Sequence, residues 1–164
     1  MNIDADREQA VVEATDDQLF HYSLLYLTGH GRIDLTEEQA HNLRNYALSG
    51  GLIYIDDDFG MDEHVRPEIQ KIFPDRALQQ LKTDHPLFSK PYSFDQIPQI
   101  HEHHLDNPPK TFGIRAEGEW VLIYSFNTNF SDGWASPEVH GDPPEIREKA
   151  LQWGVNLISL VLSP

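Results

Sequence analysis

The stretch LRNYALSGGLIYIDDDFG, residues 43–60, decides the fold, because it joins a helix end, a strand and an acidic turn. The apolar residues at its start, Leu43, Tyr46 and Ala47, are spaced as on one face of a helix. Gly50-Gly51 predicts the left-handed turn that ends many helices. Residues 52–55 are continuously apolar, which predicts a strand covered on both faces in a parallel sheet. Acids follow at 56–58, so we expect a polar site at the carboxyl end of this strand.

Two further predicted strands end in polar residues. Residues 23–27 form another apolar run, and a histidine between two glycines follows it. Residues 120–125 form the second arm of a hairpin that turns at Glu117-Gly118 and continues into a polar segment. Carboxyl ends of parallel strands meet at one sheet edge, where ligands bind in open α/β sheets. With two histidines from a later loop, the residues expected to line this cleft are His30, Asp56, Asp57, His101, His103, Asn127 and Asp132.

The remaining pattern predicts a single α/β domain over residues 1–164. Residues 1–9 are polar and expected to be loosely ordered, and Val11-Val12 is a candidate short edge strand. Residues 74–111 hold six of the 11 prolines and predict an irregular, functional loop region. Asp142-Pro143-Pro144 predicts the start of a closing helix. Its predicted buried residues are Ile146, Ala150, Leu151, Trp153, Leu157, Ile158 and Val161.

Composition excludes several classes of function. The chain has no cysteine, which removes disulfides, thiolate metal sites and cysteine nucleophiles. Twenty-seven acidic residues against 12 basic ones give a formal charge of −15. Such acidity disfavours nucleic acid and anionic membranes as partners, and it is typical of solubility or of adaptation to salt. No apolar run is long enough to span a bilayer.

The predicted cleft suits a divalent metal, since imidazoles with carboxylates are ligands for zinc, manganese or iron. The candidate ligands are His30, Asp57 and His103. The alternative is that the acids cap helices and turns while the histidines lie in a solvated loop. Asp56 and Asp57 point to opposite sides of a regular strand, so Asp57, already leaving the strand, is the better candidate for the cleft. No phosphate-binding glycine loop and no G-x-S-x-G elbow is present.

Six segments in order resemble a bacterial family known as a domain of unknown function. They are YLTGHG (26–31), LRNYALSGGLIYIDD (43–57), IFPDRAL (72–78), DHPLF (84–88), IHEH (100–103) and WGVNL (153–157). That family is similar in fold to class I glutamine amidotransferase-like domains and to the trehalose-utilisation group. The resemblance implies a flavodoxin-like three-layer sandwich with a mainly parallel sheet.

The resemblance implies no established activity. Glutamine amidotransferases need a cysteine nucleophile, which this chain lacks. Relatives carry a further N-terminal strand and helix, so a chain that opens at Met1 is expected to lack one strand. Longer relatives often carry export or membrane-anchoring segments, so the resemblance leaves the compartment open between cytoplasmic and exported.

Two classes of function remain. One is a binding module that recognises a small polar ligand such as a sugar, or that acts as an assembly domain. The other is a metal-dependent hydrolase that uses His30 with Asp56 or Asp57, with a histidine from 101–104 as ligand or proton shuttle. A missing strand would expose residues 10–27 as an edge, which predicts a homodimer. The residues expected to be almost fully buried are Leu24, Leu25, Tyr26, Ile53, Ile55, Leu122, Ile123 and Leu157.

Overall fold

The computed structural model describes residues 9–100 and 107–162. In chain order the strands are β1 (Leu24–Leu27), β2 (Leu52–Asp56), β3 (Gln79–Gln80), β4 (Lys110–Ala116) and β5 (Glu119–Phe126). The helices are α1 (Glu37–Leu48), α2 (Asp62–Ile72), α3 (Phe130–Trp134), α4 (Pro137–His140) and α5 (Pro144–Leu162). Short 3-10 helices lie at Asp17–His21 and Pro86–Phe88.

The strands form an open α/β sheet in the order β1-β2-β5-β4-β3. β1 pairs parallel to β2, and β2 pairs parallel to β5. β4 pairs antiparallel to both β5 and β3, so the sheet is mixed. The β4–β5 hairpin turns at Glu117-Gly118, as the sequence predicts, and both turn residues have positive φ.

Helices cover both faces of this sheet. One hydrophobic cluster joins residues of α1 and α2 to Ile53, Ile55 and Leu122. The other joins residues of α3 and α5 to Tyr54 and Ile123. The expected burial of Ile53, Ile55, Leu122, Ile123 and Leu157 is confirmed, since none is more than 2% exposed.

The prediction that β1 is buried is wrong. Leu24 and Leu25 are only partly buried, and Tyr26 is 37% exposed. The physical reason is the position of β1 at the end of the sheet, where β2 is its one neighbour among the strands that the structure describes. An apolar run of four residues therefore does not distinguish an edge strand from a central one.

The start and the end of α1 follow the sequence signals. Thr36 and Gln39 form a reciprocal capping box, with bonds of 2.8 Å and 3.2 Å between side chain and backbone. Gly50, one residue beyond the Ser49 cap, has φ of +108°, which glycine adopts without strain. The chain then enters β2 at Leu52.

Gly51→Ala is expected to destabilise the domain by about 1–3 kcal/mol. A methyl group at Gly51 would lie 2.1 Å from Cζ of Tyr46, a residue that is 1% exposed, so the ring would have to shift within the core. Chemical denaturation would measure the loss. Leu48→Ala, in the last turn of α1 and 39% exposed, is the matched control and should cost less. Equal losses in the two variants would contradict this packing.

Several peripheral expectations need correction. Val11-Val12 forms no strand, and Val11 is 88% exposed. α5 begins at Pro144 as predicted, but Leu151 is 44% exposed, and Ile146, Ile158 and Val161 are only partly buried. The reason for this exposure is that α5 carries apolar residues on more sides than the sheet covers.

The region 74–111 has two short elements before β4 begins at Lys110. Of residues 1–9, which are expected to be loosely ordered, only residue 9 lies within the described part of the chain. None of the described helices combines the length and the apolar character needed to cross a bilayer.

Candidate functional site

The carboxyl ends of β2 and β5 lie side by side, where the connections leave the sheet on opposite faces. α2 follows β2 onto one face, and α3 follows β5 onto the other. Such a switch point is where open α/β sheets form ligand crevices. Asp56 is in register with Ser125 at this point, and the Asp57 amide donates to the Ser125 carbonyl at 3.0 Å.

Asp56 is fully buried at the centre of a hydrogen-bond network. One carboxylate oxygen accepts from the Ser131 amide at 2.8 Å, and the other lies 3.1 Å from the Tyr54 hydroxyl. That hydroxyl is also 2.9 Å from Oγ of Ser125. Burial raises the pKa of Asp56 to about 8, although the Ser131, Phe130 and Tyr54 hydrogen bonds oppose the rise. The side chain is therefore largely protonated at neutral pH.

An aromatic cluster lies next to Asp56, on the face of the sheet that α5 covers. The rings of Tyr26 and Tyr54 stack with centroids 6.0 Å apart, and Trp134 packs against both. Trp134 is fixed by a 2.8 Å hydrogen bond from its indole nitrogen to the carbonyl of Ala150 in α5. Burial raises the pKa of Tyr26, and the nearby carboxylate of Asp56 raises it further.

Asp57 is also fully buried but has a different partner. Its carboxylate accepts from the Asn127 amide at 2.8 Å, so it fixes the turn that follows β5. Asn127 has positive φ, and its side-chain amide donates to the carbonyl of Asn107. Thr128, one residue further, accepts from the Ile100 amide at 3.0 Å. Asp57 holds the backbone of Asn127, and Asn127 and Thr128 in turn hold residues 107 and 100. The contact between Asp57 and Asn127 therefore helps to anchor these two loop ends.

The other predicted polar residues form pairs near this edge. His30 lies 3.3 Å from the carboxylate of Asp58, and its side chain is 77% exposed. Asp132 lies 3.4 Å from the imidazole of His140 in α4. His101 and His103 lie outside the described residues. Within residues 9–100 and 107–162, no group of three or more histidine, aspartate or glutamate side chains could hold a metal ion.

A groove of about 900 Å³ lies between β1 and α5. Leu24 and Tyr26 form its β1 side, and Leu151, Val155 and Ile158 form its α5 side. Among the described residues that line the groove, Lys90 alone is charged. None of the five predicted site residues that the structure describes lines it.

Sequence reasoning missed the groove because its residues have the pattern of core residues. Tyr26 lies inside an apolar run, and Leu151, Val155 and Ile158 lie in a helix that is apolar along most of its length. A usable signal was present: these three recur at intervals of four and three residues, which defines one helix face. That face is distinct from the buried face of Ala150, Trp153 and Leu157.

Fold and site together define an α/β domain with an open mixed sheet, a buried polar network at its switch point and an apolar groove at one edge. The chain belongs to the family described as domain of unknown function DUF4159, whose family model matches residues 1–162. No curated protein matches the chain.

Proposed function

We propose that this domain is a protein-assembly module whose β1 edge accepts an additional strand. The observation that carries the proposal is that no other described strand than β2 pairs with β1, together with an apolar groove lined by β1 residues. Proteins recognise extended segments in this way, with backbone hydrogen bonds giving affinity and adjacent pockets giving specificity. Assembly is one of the two roles that the sequence predicts for a binding module, and recognition of a small polar ligand is the other.

Backbone geometry identifies the groups available for pairing. The Ser23 carbonyl accepts from the Leu52 amide at 3.0 Å, so Ser23 directs its backbone toward β2. Alternate residues of a strand direct their backbone groups to opposite sides. Leu24 and Tyr26 therefore direct their amide and carbonyl groups to the open side of β1.

The side chains of Leu24 and Tyr26 favour one chemical class of bound segment. Leu24 and Tyr26 also line the groove, so a bound strand would place alternate side chains against them. Residues 22–28 carry no charge although the chain as a whole has a formal charge of −15. The occupant that fits is an extended, uncharged segment with apolar residues at alternate positions.

A peptide with the sequence of residues 22–28 and two lysines at each end is expected to bind the domain. Fluorescence anisotropy would be measured at protein concentrations where light scattering shows a monomer. Leu24→Pro removes one outward amide but no bond to β2, so it should weaken binding at least about tenfold. Leu24→Val keeps that amide and is the matched control. Equal binding by both variants would contradict strand addition.

A small polar ligand at the switch point is a second candidate. It is supported by the Tyr26 hydroxyl, which is hydrogen-bonded to Ser131 and lies near Asp56 and Asp132 in a partly exposed side chain. A sugar could stack on the exposed part of such a ring while its hydroxyls pair with polar neighbours. Chemical shifts of the Tyr26 ring in a sugar titration would test this candidate.

The metal-dependent hydrolase with His30, Asp57 and His103 stays a prediction. The flavodoxin-like layering and the likeness to glutamine amidotransferase-like domains of bacteria are also proposed, supported by helix packing on both faces. The strand β4, which pairs antiparallel with both β5 and β3, is a departure from a wholly parallel sheet of that kind.

A further inference from the structure

We infer that the strand accepted by β1 is β1 of a second copy of this chain, paired antiparallel across a two-fold axis at Leu25. This inference rests on the proposed strand-accepting function and names its partner. It predicts one continuous sheet through the two copies, with five described strands from each.

The outward backbone groups fix the register of this pairing. Leu24 and Tyr26 are the β1 residues that face the open side, and an antiparallel partner presents the same two residues in reverse order. Leu24 then pairs with Tyr26 of the second copy, and Tyr26 pairs with Leu24. Each such pair exchanges two hydrogen bonds, so four are formed in all. Leu25 lies opposite Leu25 of the second copy, at the two-fold axis.

Side chains complete the contact on one face of the joined sheet. A two-fold axis perpendicular to the sheet places both copies of α5 on the same face, one on each side of the joined strands. Leu151 and Val155, each 44% exposed, then lie toward the joint from both copies. The two grooves merge, and each Tyr26 ring lies opposite a leucine across the strands. Burial of these apolar groups is the main driving force expected for association.

Charge favours a second copy over a charged partner. Two chains of formal charge −15 repel each other over most of their surface. The segment 22–28 is uncharged, and Lys90 is the one charged residue among the described residues that line the groove. Residues 22–28 and the described residues of the groove lining therefore contribute no acidic side chain to a contact between two copies.

Crosslinking tests this pairing, because the native chain has no cysteine. Residues directly opposite each other in a non-hydrogen-bonded antiparallel pair have Cα atoms about 4.5 Å apart, within disulfide range. Leu25→Cys is therefore expected to form a covalent dimer under mild oxidation. Leu48→Cys, exposed at the end of α1, is the control and should crosslink at most about one tenth as much. Equal crosslinking would overturn the inference.

A second pair of variants covers the case in which Leu25→Cys does not fold. The register places Tyr22 opposite Thr28 of the other copy, and Tyr22 is 39% exposed in the single chain. An oxidised mixture of Tyr22→Cys and Thr28→Cys should crosslink more than either variant alone. A mixture no better than the separate variants would overturn the register.

Light scattering on the native chain, combined with peptide binding, distinguishes failure of the self-pairing inference from failure of the proposed strand-accepting function. A molar mass of twice 18.8 kDa is expected at high protein concentration. A monomer that still binds the strand peptide would overturn the second copy as partner and leave strand acceptance standing. A monomer that binds no peptide would overturn both.

Discussion

Trp153→Ala is expected to lower the free energy of unfolding by about 3–5 kcal/mol. Trp153 is fully buried in α5 and stacks on Phe130 of α3, with ring centroids 4.8 Å apart and nearly parallel planes. Phe88 and Phe94 pack against it edge-on at 5.2 and 5.7 Å. One side chain therefore joins α5, α3 and the segment before β4, and its removal would leave a large cavity.

Urea denaturation would measure the loss, with Gln152→Ala as a control on the same helix. Gln152 makes a surface hydrogen bond to Glu148, so its replacement should change stability by no more than about 0.5 kcal/mol. If Trp153→Ala does not fold, Trp153→Phe should give a smaller, measurable loss. A loss below about 1 kcal/mol for Trp153→Ala would show that α5 does not depend on this residue.

Asp56→Asn is expected to remove a strong pH dependence of stability. The pKa of Asp56 is raised from 3.8 to about 8, so the folded chain keeps a proton that the unfolded chain releases. Its contribution to stability is complete below about pH 4 and is lost as pH rises toward 8. The loss amounts to about 5–6 kcal/mol by pH 8, since the shift is about four pKa units and one unit corresponds to about 1.4 kcal/mol.

An asparagine has no proton to release at this position, and its amide can donate to the Tyr54 hydroxyl while its oxygen accepts from Ser131. The variant should therefore be more stable than the native chain at pH 8 and similar to it at pH 4. Thermal unfolding at both pH values would show this, with Asp17→Asn at the exposed start of a 3-10 helix as control. A native chain whose stability changes no more than that of Asp56→Asn would contradict the burial of a protonated carboxyl.

Much of the fold could be predicted from local sequence. The apolar run at 52–55 is buried as expected, because β2 lies between β1 and β5 and helices cover both its faces. The hairpin turn at Glu117-Gly118 and the Thr36 capping box depend on neighbouring residues alone, and both form. The position of a strand within the sheet depends on long-range pairing, which explains why β1 was predicted to be buried.

The positions of three of the candidate site residues could be predicted from the direction of the strands. Asp56, Asp57 and Asn127 lie at the expected edge, because strand direction alone decides which strand ends meet. Their partners depend on how α3 and the loop ends pack, and no spacing in the sequence encodes that. Tyr26 and Val155 were missed because an apolar residue has the same local pattern in a core as in an exposed groove.

Amide hydrogen exchange at Leu24 and Tyr26 tests the central claim, that β1 is a strand-accepting edge, most directly. In the monomer these two amides face the open side and should exchange much faster than those of Leu25 and Leu27, which face β2. Saturation with the lysine-flanked peptide should slow exchange at Leu24 and Tyr26 by at least about tenfold, because each amide gains a backbone acceptor. Exchange at these two amides that is unchanged in the saturated complex would contradict the account.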